Sequence, residues 1–203
     1  MGLTEALKEY WYLFLVLLAL ILVLVWAAKK AAAAVVKHNT VVTREREYLE
    51  RFTELNKKYS GLTKEAAQSA PAAELIEGVT AVLQRRIEKS PDRLAEFNAA
   101  PEWQRMTYAA YYFTQDAGEA LSGFFKNNGK PTDALLTELA GRVCPDSLAR
   151  IVRETYSMYD GDNDRVSYDE KRIAELDARF REQYDKDEFC ELVKQFIVNS
   201  LEN

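Results

Sequence analysis

Nineteen consecutive residues from Tyr10 to Ala28, YWYLFLVLLALILVLVWAA, carry no charge, no Gly and no Pro, and Lys29 and Lys30 follow at once. At about 1.5 Å per residue a helix of this length spans roughly 28 Å, close to the ~30 Å hydrocarbon core of a bilayer. Twelve of its side chains are Leu, Ile, Val or Phe. At about −0.3 to −0.6 kcal/mol each, their insertion is favourable by several kcal/mol. The run predicts one transmembrane helix over 10–28, with the lipid bilayer as its first partner. Trp11 and Tyr12 at one end and Trp26 at the other match an aromatic belt at the two headgroup levels, and Lys29 and Lys30 supply the cationic flank.

A cleaved leader fits the same residues less well. Glu5 and Glu9 oppose Lys8, the apolar core exceeds the usual length, and Trp26 stands beside the only cleavage alanines, Ala27 and Ala28. The start Met-Gly-Leu-Thr-Glu-Ala lacks the Ser or Thr at position 6 of a myristoylation signal. Lys29, Lys30, Lys37, Arg44 and Arg46 follow the run while Lys8 alone precedes it, so the C-terminal side is expected in the cytoplasm. Residues 1–9 then form a short extracytoplasmic tail of a single-pass cell-membrane protein. Cys144 and Cys190 fit no CxxC or zinc spacing, which agrees with two thiols in a reducing compartment.

Charge divides along the chain. Residues 1–59 carry a net +3 and residues 60–203 a net −8, within the total of −5. An acidic domain is repelled by nucleic acid, so direct nucleic-acid binding is not expected. The basic residues after the run can touch anionic headgroups, each worth about 1 kcal/mol near the surface.

Past the anchor, the pattern is helical throughout, giving an all-α class: a transmembrane helix, a juxtamembrane helical linker over 29–70 and a compact multi-helix domain over 71–203. Ala31 to Ala34 favour continuation of the first helix, and Thr43 suits the cap of a second, REREYLERFTELNKKY. There Tyr48, Phe52, Leu55 and Tyr59 step by 4, 3 and 4 into one apolar stripe. The stripe either packs on the following domain or pairs with a second copy as a homodimer. Ser60-Gly61 reads as a break and Ser69-Ala70-Pro71 as a further cap. Helices are expected over 72–89, 92–98, 102–127, 131–142, 146–159, 168–184 and 186–201, with Pro and Gly at the gaps.

Asp160-Gly161-Asp162-Asn163-Asp164 places carboxylates at positions 1, 3 and 5 of a calcium-loop pattern. The pattern then fails: Arg165 stands where Gly makes the sharp turn, and Lys171 where a bidentate Glu belongs. Asp160, Asp162 and Asp164 are therefore weak metal candidates, and a solvated turn bonding its own backbone explains them as well. No cofactor is expected. His38, the one histidine, lies outside the globular part, so no Ser-His-Asp or Cys-His set can be assembled there. Asp116 with Glu119 and Asp185 with Glu188 occur at helical spacing and read as solvated charges. Gly118, Gly123 and Gly129 lack the Lys-Ser/Thr of a phosphate loop. No enzyme is predicted. Trp103, Tyr108, Tyr111, Tyr112, Phe113, Phe124 and Phe125 fall within 23 residues and read as the centre of a core.

The string QRMTYAAYYFTQDAGEALSGFFKNNG, Gln104 to Gly129, resembles the aromatic helix, Gly pair, Phe pair and Asn-Ser-Ser-Gly segment of DNA-mimic-like domains. The closing LDARFREQYDKDEFCELVKQFIVNS, Leu176 to Ser200, is similar to that family's Leu-Asp-x-x-Phe, acidic turn and last helix. The Gly pair is reduced to Gly118-Glu119, and the usual Ala-rich stretch departs around 139–143. The resemblance covers about residues 72–203. It implies an all-α domain whose acidic surface occupies a basic partner such as a transcription regulator. The expected function is a membrane-anchored protein-interaction module, with Asp160, Asp162, Asp164, Asp169 and Glu170 facing an unidentified basic protein. A calcium-binding regulator and a structural protein dimerising through the Tyr48 stripe are the alternatives.

Overall fold

The computed structural model describes residues 11–118, 120–159 and 169–201. Among them the chain is all-helical, without a strand: α1 Trp11–Tyr59, α2 Lys64–Ser69, α3 Ala72–Lys89, α4 Arg93–Ala99, α5 Glu102–Asp116, α6 Leu121–Asn127, α7 Thr132–Val143, α8 Asp146–Tyr159, α9 Glu170–Gln183 and α10 Lys186–Ser200. They divide between two units, Met1–Arg51 and Phe52–Asn203.

The first unit is helical from Trp11 onward, and α1 runs on for 49 residues in all. The second helix expected to start at a Thr43 cap does not exist, because a cap requires the chain to leave helical dihedrals and nothing there makes it do so. No Gly or Pro interrupts 11–59, and Ala31 to Ala34 are the strongest helix formers available. An i,i+4 pair, Arg46 Nε to Glu50 Oε1 at 2.8 Å, adds local support. Val16, Leu18, Leu20, Leu22, Val23, Leu24 and Trp26 are each more than half exposed. Among the described residues no helix is long and apolar enough to cross a membrane. Of the run over 10–28, Trp11 to Ala28 lie in α1, with only some of their side chains described.

The compact unit begins at Phe52, ahead of the Pro71 boundary expected from composition. Leu55 and Tyr59 are buried in its core, with Phe52 packed beside them, while Tyr48 remains 43% exposed. For Leu55 and Tyr59, packing on the domain is therefore the observed fate of the stripe. The Tyr59 ring lies over Gly78 of α3, where an added Cβ would stand 2.1 Å from a ring carbon. The Tyr59 hydroxyl donates to Glu74 Oε1 at 2.9 Å, Lys58 Nζ reaches the same oxygen at 2.6 Å, and Asn56 Nδ2 donates to the Ala81 carbonyl at 3.2 Å.

Helix ends follow the sequence closely. Thr63, Asp92, Asp169 and Asp185 cap α2, α4, α9 and α10 through side-chain oxygens. Pro71, Pro101 and Pro131 stand immediately before α3, α5 and α7, where a missing N–H leaves no bond unmade. Ser69, read as part of a cap, instead ends α2 and donates to the Ala66 carbonyl at 3.1 Å. The single helix expected over 102–127 is also two. α5 stops at Asp116 and α6 restarts at Leu121, because the buried N-terminus of α6 finds an acceptor from a distant helix, described below. Asn128 Nδ2 donates to Asp116 Oδ2 at 2.8 Å and ties the far end of α6 back to the end of α5.

α5 is the central element, packed by α3, α7, α10 and α6. Its Phe113 is 1% exposed and meets four rings edge-on: Phe124 at 5.5 Å, Phe180 at 5.8 Å, Tyr184 at 5.3 Å and Phe189 at 5.0 Å between centroids. Such pairs add about 0.5–1.5 kcal/mol each beyond burial.

Truncating Phe113→Ala should lower stability by about 3–5 kcal/mol, read by urea denaturation of the full chain. Gly78→Ala tests the α1–α3 contact by its sign. A helical Gly→Ala change ordinarily stabilises by about 1 kcal/mol, but here displacement of the Tyr59 ring should cost about 1–3 kcal/mol and lower the melting temperature. In a Tyr59→Ala background the same change should become stabilising.

Candidate functional site

A cleft of about 440 Å³ opens between α6, α8 and α9, lined by Ser122, Lys126, Tyr159, Glu170, Ile173, Ala174 and Asp177. Its floor is set by one buried pair. The Ser122 backbone N–H donates to Asp177 Oδ1 at 2.9 Å and the Ser122 hydroxyl to Asp177 Oδ2 at 2.6 Å, across 55 residues of sequence. Ser122 sits in the first turn of α6, whose N–H groups lack intrahelical partners. Asp177 supplies the acceptor that Ala120, at the N-cap position, cannot. Asp177 is 9% exposed, and among the described residues no Lys or Arg side chain pairs with its carboxylate. Arg181 Nε donates instead to the Asp177 backbone carbonyl at 3.3 Å.

The walls differ in chemistry. Tyr159, at the end of α8, is backed by the Phe125 ring at 6.0 Å with 14° between planes. Ile173 is buried, while Lys126 and Glu170 are exposed and have no ion-pair partner among the described residues. Arg172 holds α8 to α9 next to the cleft. Its Nε donates to Glu154 Oε1 at 2.8 Å, its Nη2 reaches the same oxygen, and its Nη1 meets Glu175 Oε2 at 3.1 Å.

Of the five acidic residues expected to face a partner, Asp160, Asp162 and Asp164 lie outside the described residues. Asp169 caps α9, accepting from Arg172 N at 3.0 Å. Glu170, in the first turn of α9, lines the cleft. Among the described residues no group of three His, Cys, Asp or Glu could hold a metal ion. Of the anchor residues, Trp11 and Tyr12 lie in α1, and Trp26, Lys29 and Lys30 are exposed there, with Lys30 Nζ 4.9 Å from the centre of the Trp26 ring. Asp116 accepts from Asn128 and Asp185 accepts from the N–H groups of Asp187 and Glu188. Both carboxylates thus have structural partners. Glu119 lies outside the described residues.

Sequence reasoning missed the Ser122–Asp177 pair. A signal existed: Ile173, Leu176, Asp177 and Phe180 share one helical face, and all four are buried. A carboxylate at core spacing must find hydrogen-bond donors, but nothing in the sequence says that Ser122 provides them.

Two other buried groups bear on chemistry. Burial and the neighbouring Glu188 carboxylate push the Cys144 thiol up to about 12, and burial also raises Cys190. Both are free thiols held away from the reactive thiolate form at neutral pH. Asp133, in the first turn of α7, is 4% exposed, and its Oδ1 meets no donor. Burial pushes its carboxyl up to about 6.

No protein-family model, curated protein or solved structure matches this chain.

Asp133 generates a pH prediction. Its folded pKa lies above the unfolded value of about 3.9, so its favourable contribution is complete below about pH 4. That contribution is lost as pH rises to about 6. Asp133→Asn mimics the protonated form. The variant's stability advantage over wild type should therefore grow between pH 4 and pH 6, on the order of 2 kcal/mol, and then level off. A pH-independent difference in thermal unfolding would refute this assignment.

Proposed function

We propose that this chain is a single-pass, membrane-anchored protein-interaction module, acting by contact rather than catalysis through an acidic helical domain. One observation carries the reading: Val16, Leu18, Leu20, Leu22, Val23, Leu24 and Trp26 are all exposed along one helix. A water-soluble helix does not ordinarily leave Leu18, Leu20, Leu22, Val23 and Leu24 exposed together, whereas acyl chains would cover them. The Trp26–Lys30 pair supports an interface at that level, since Trp and Lys favour the headgroup region. The cationic residues after the run support a cytoplasmic placement of the domain.

The acidic balance of residues 60–203 favours a basic protein partner over nucleic acid. The likeness to DNA-mimic-like domains supports the same reading, with a transcription regulator as one such partner. The calcium alternative depends on Asp160, Asp162 and Asp164 and rests on sequence alone. Dimerisation through the Tyr48 stripe is less favoured, because Leu55 and Tyr59 are already buried within one chain.

Expressed in cells, the full chain should sediment with membranes and resist alkaline carbonate extraction. Replacing Leu20 and Leu22 with Arg should release it, since each central Arg costs about 2.5–3.5 kcal/mol of insertion. Wild-type protein in the soluble fraction would overturn the anchor.

A further inference from the structure

The floor of the α6–α8–α9 cleft holds a carboxylate whose charge is compensated only by uncharged donors. Asp177 accepts two hydrogen bonds from Ser122, one on each oxygen, and no cation pairs with it among the described residues. Each carboxylate oxygen can accept a second bond. Glu170 adds another carboxylate to the lining, equally without an ion-pair partner among the described residues. Tyr159, its ring held against Phe125, forms an aromatic wall, and Ile173 and Ala174 add apolar surface. Lys126 is the one opposing charge among the lining residues.

Two carboxylates, an aromatic wall and an apolar strip are the chemistry that a guanidinium uses. Its planar fork donates to carboxylates, its face lies against an aromatic ring, and its methylene stem packs on apolar surface. An ammonium has three donors but lacks the planar fork and the flat face that lies against a ring. We propose that this cleft receives an arginine side chain presented by a partner protein. The inference rests on the reading of the domain as an interaction module for a basic partner and names the group that the partner supplies. Lys126 repels every cation alike, so that only one gaining those contacts is held.

The test is calorimetric titration of the full chain in nanodiscs of neutral lipid with a blocked Gly-Arg-Gly-Arg-Gly peptide, and with the same peptide carrying Lys for Arg. Wild type should bind the arginine peptide more tightly than the lysine peptide. Glu170→Gln should weaken the arginine peptide about tenfold, and Lys126→Met should tighten it. Glu182→Gln removes the same charge from the exposed end of α9, outside the cleft lining, and should leave binding within twofold. Equal losses for Glu170→Gln and Glu182→Gln, or no preference for arginine, would overturn the cleft while leaving a basic-partner surface standing. Absence of binding for both peptides would overturn the cleft and the basic-partner reading together. All variants alter exposed side chains, and circular dichroism checks that each is folded.

Discussion

Phe113 is the contact on which the compact unit depends. Its ring is where α5 meets α6, α9 and α10, and every one of its four aromatic neighbours approaches edge to face. That geometry brings the electropositive edge of one ring to the electronegative face of another, so the cluster fixes mutual orientation as well as distance. Helices that otherwise share only apolar surface could slide along each other at little cost. Five interlocked rings remove that freedom, and Tyr184 stacks on Phe180 at 4.6 Å to close the set.

Orientation at Phe113 determines where the cleft lies. α6 is a short helix that begins behind Ala120, a residue without a capping side chain. It would fray without an external acceptor. With Phe124 and Phe180 both seated against Phe113, α6 and α9 come together so that Asp177 reaches the Ser122 N–H and hydroxyl. The same bond that completes α6 leaves a carboxylate at the base of an opening between α6, α8 and α9. Stability and the candidate site are thus consequences of one packing arrangement.

Local chemistry was readable in advance wherever a single residue type decides the outcome. Pro71, Pro101 and Pro131 precede helices, as their chemistry requires, whereas Asp185, which reads in sequence as a solvated charge, caps α10. The aromatic concentration around Phe113 was legible as core because seven rings in 23 residues cannot all face water. Several boundaries were not legible. Thr43 has the chemistry of a cap but stands where nothing forces the helix to end, and the 102–127 pattern continues through a break that Asp177 and the Asn128–Asp116 bond stabilise. Of the candidate site, Glu170 alone was recognised. Ser122, Lys126, Tyr159 and Asp177 come from three helices and share no motif.

The amino-acid sequence by itself determined the helical class, the apolar run ahead of a cationic flank, the acidic balance of the C-terminal part and most helix ends. These depend on composition, periodicity and nearest neighbours, which act over one or two turns. Tertiary structure alone decided that α1 contributes Leu55 and Tyr59 to the core, that α5 and α6 part, and that Asp177 meets Ser122. Each of those outcomes depends on a contact between residues well separated in the chain, Tyr59 with Gly78 or Asp177 with Ser122. Such contacts form only when several helices have packed at defined angles, and no local pattern encodes an angle.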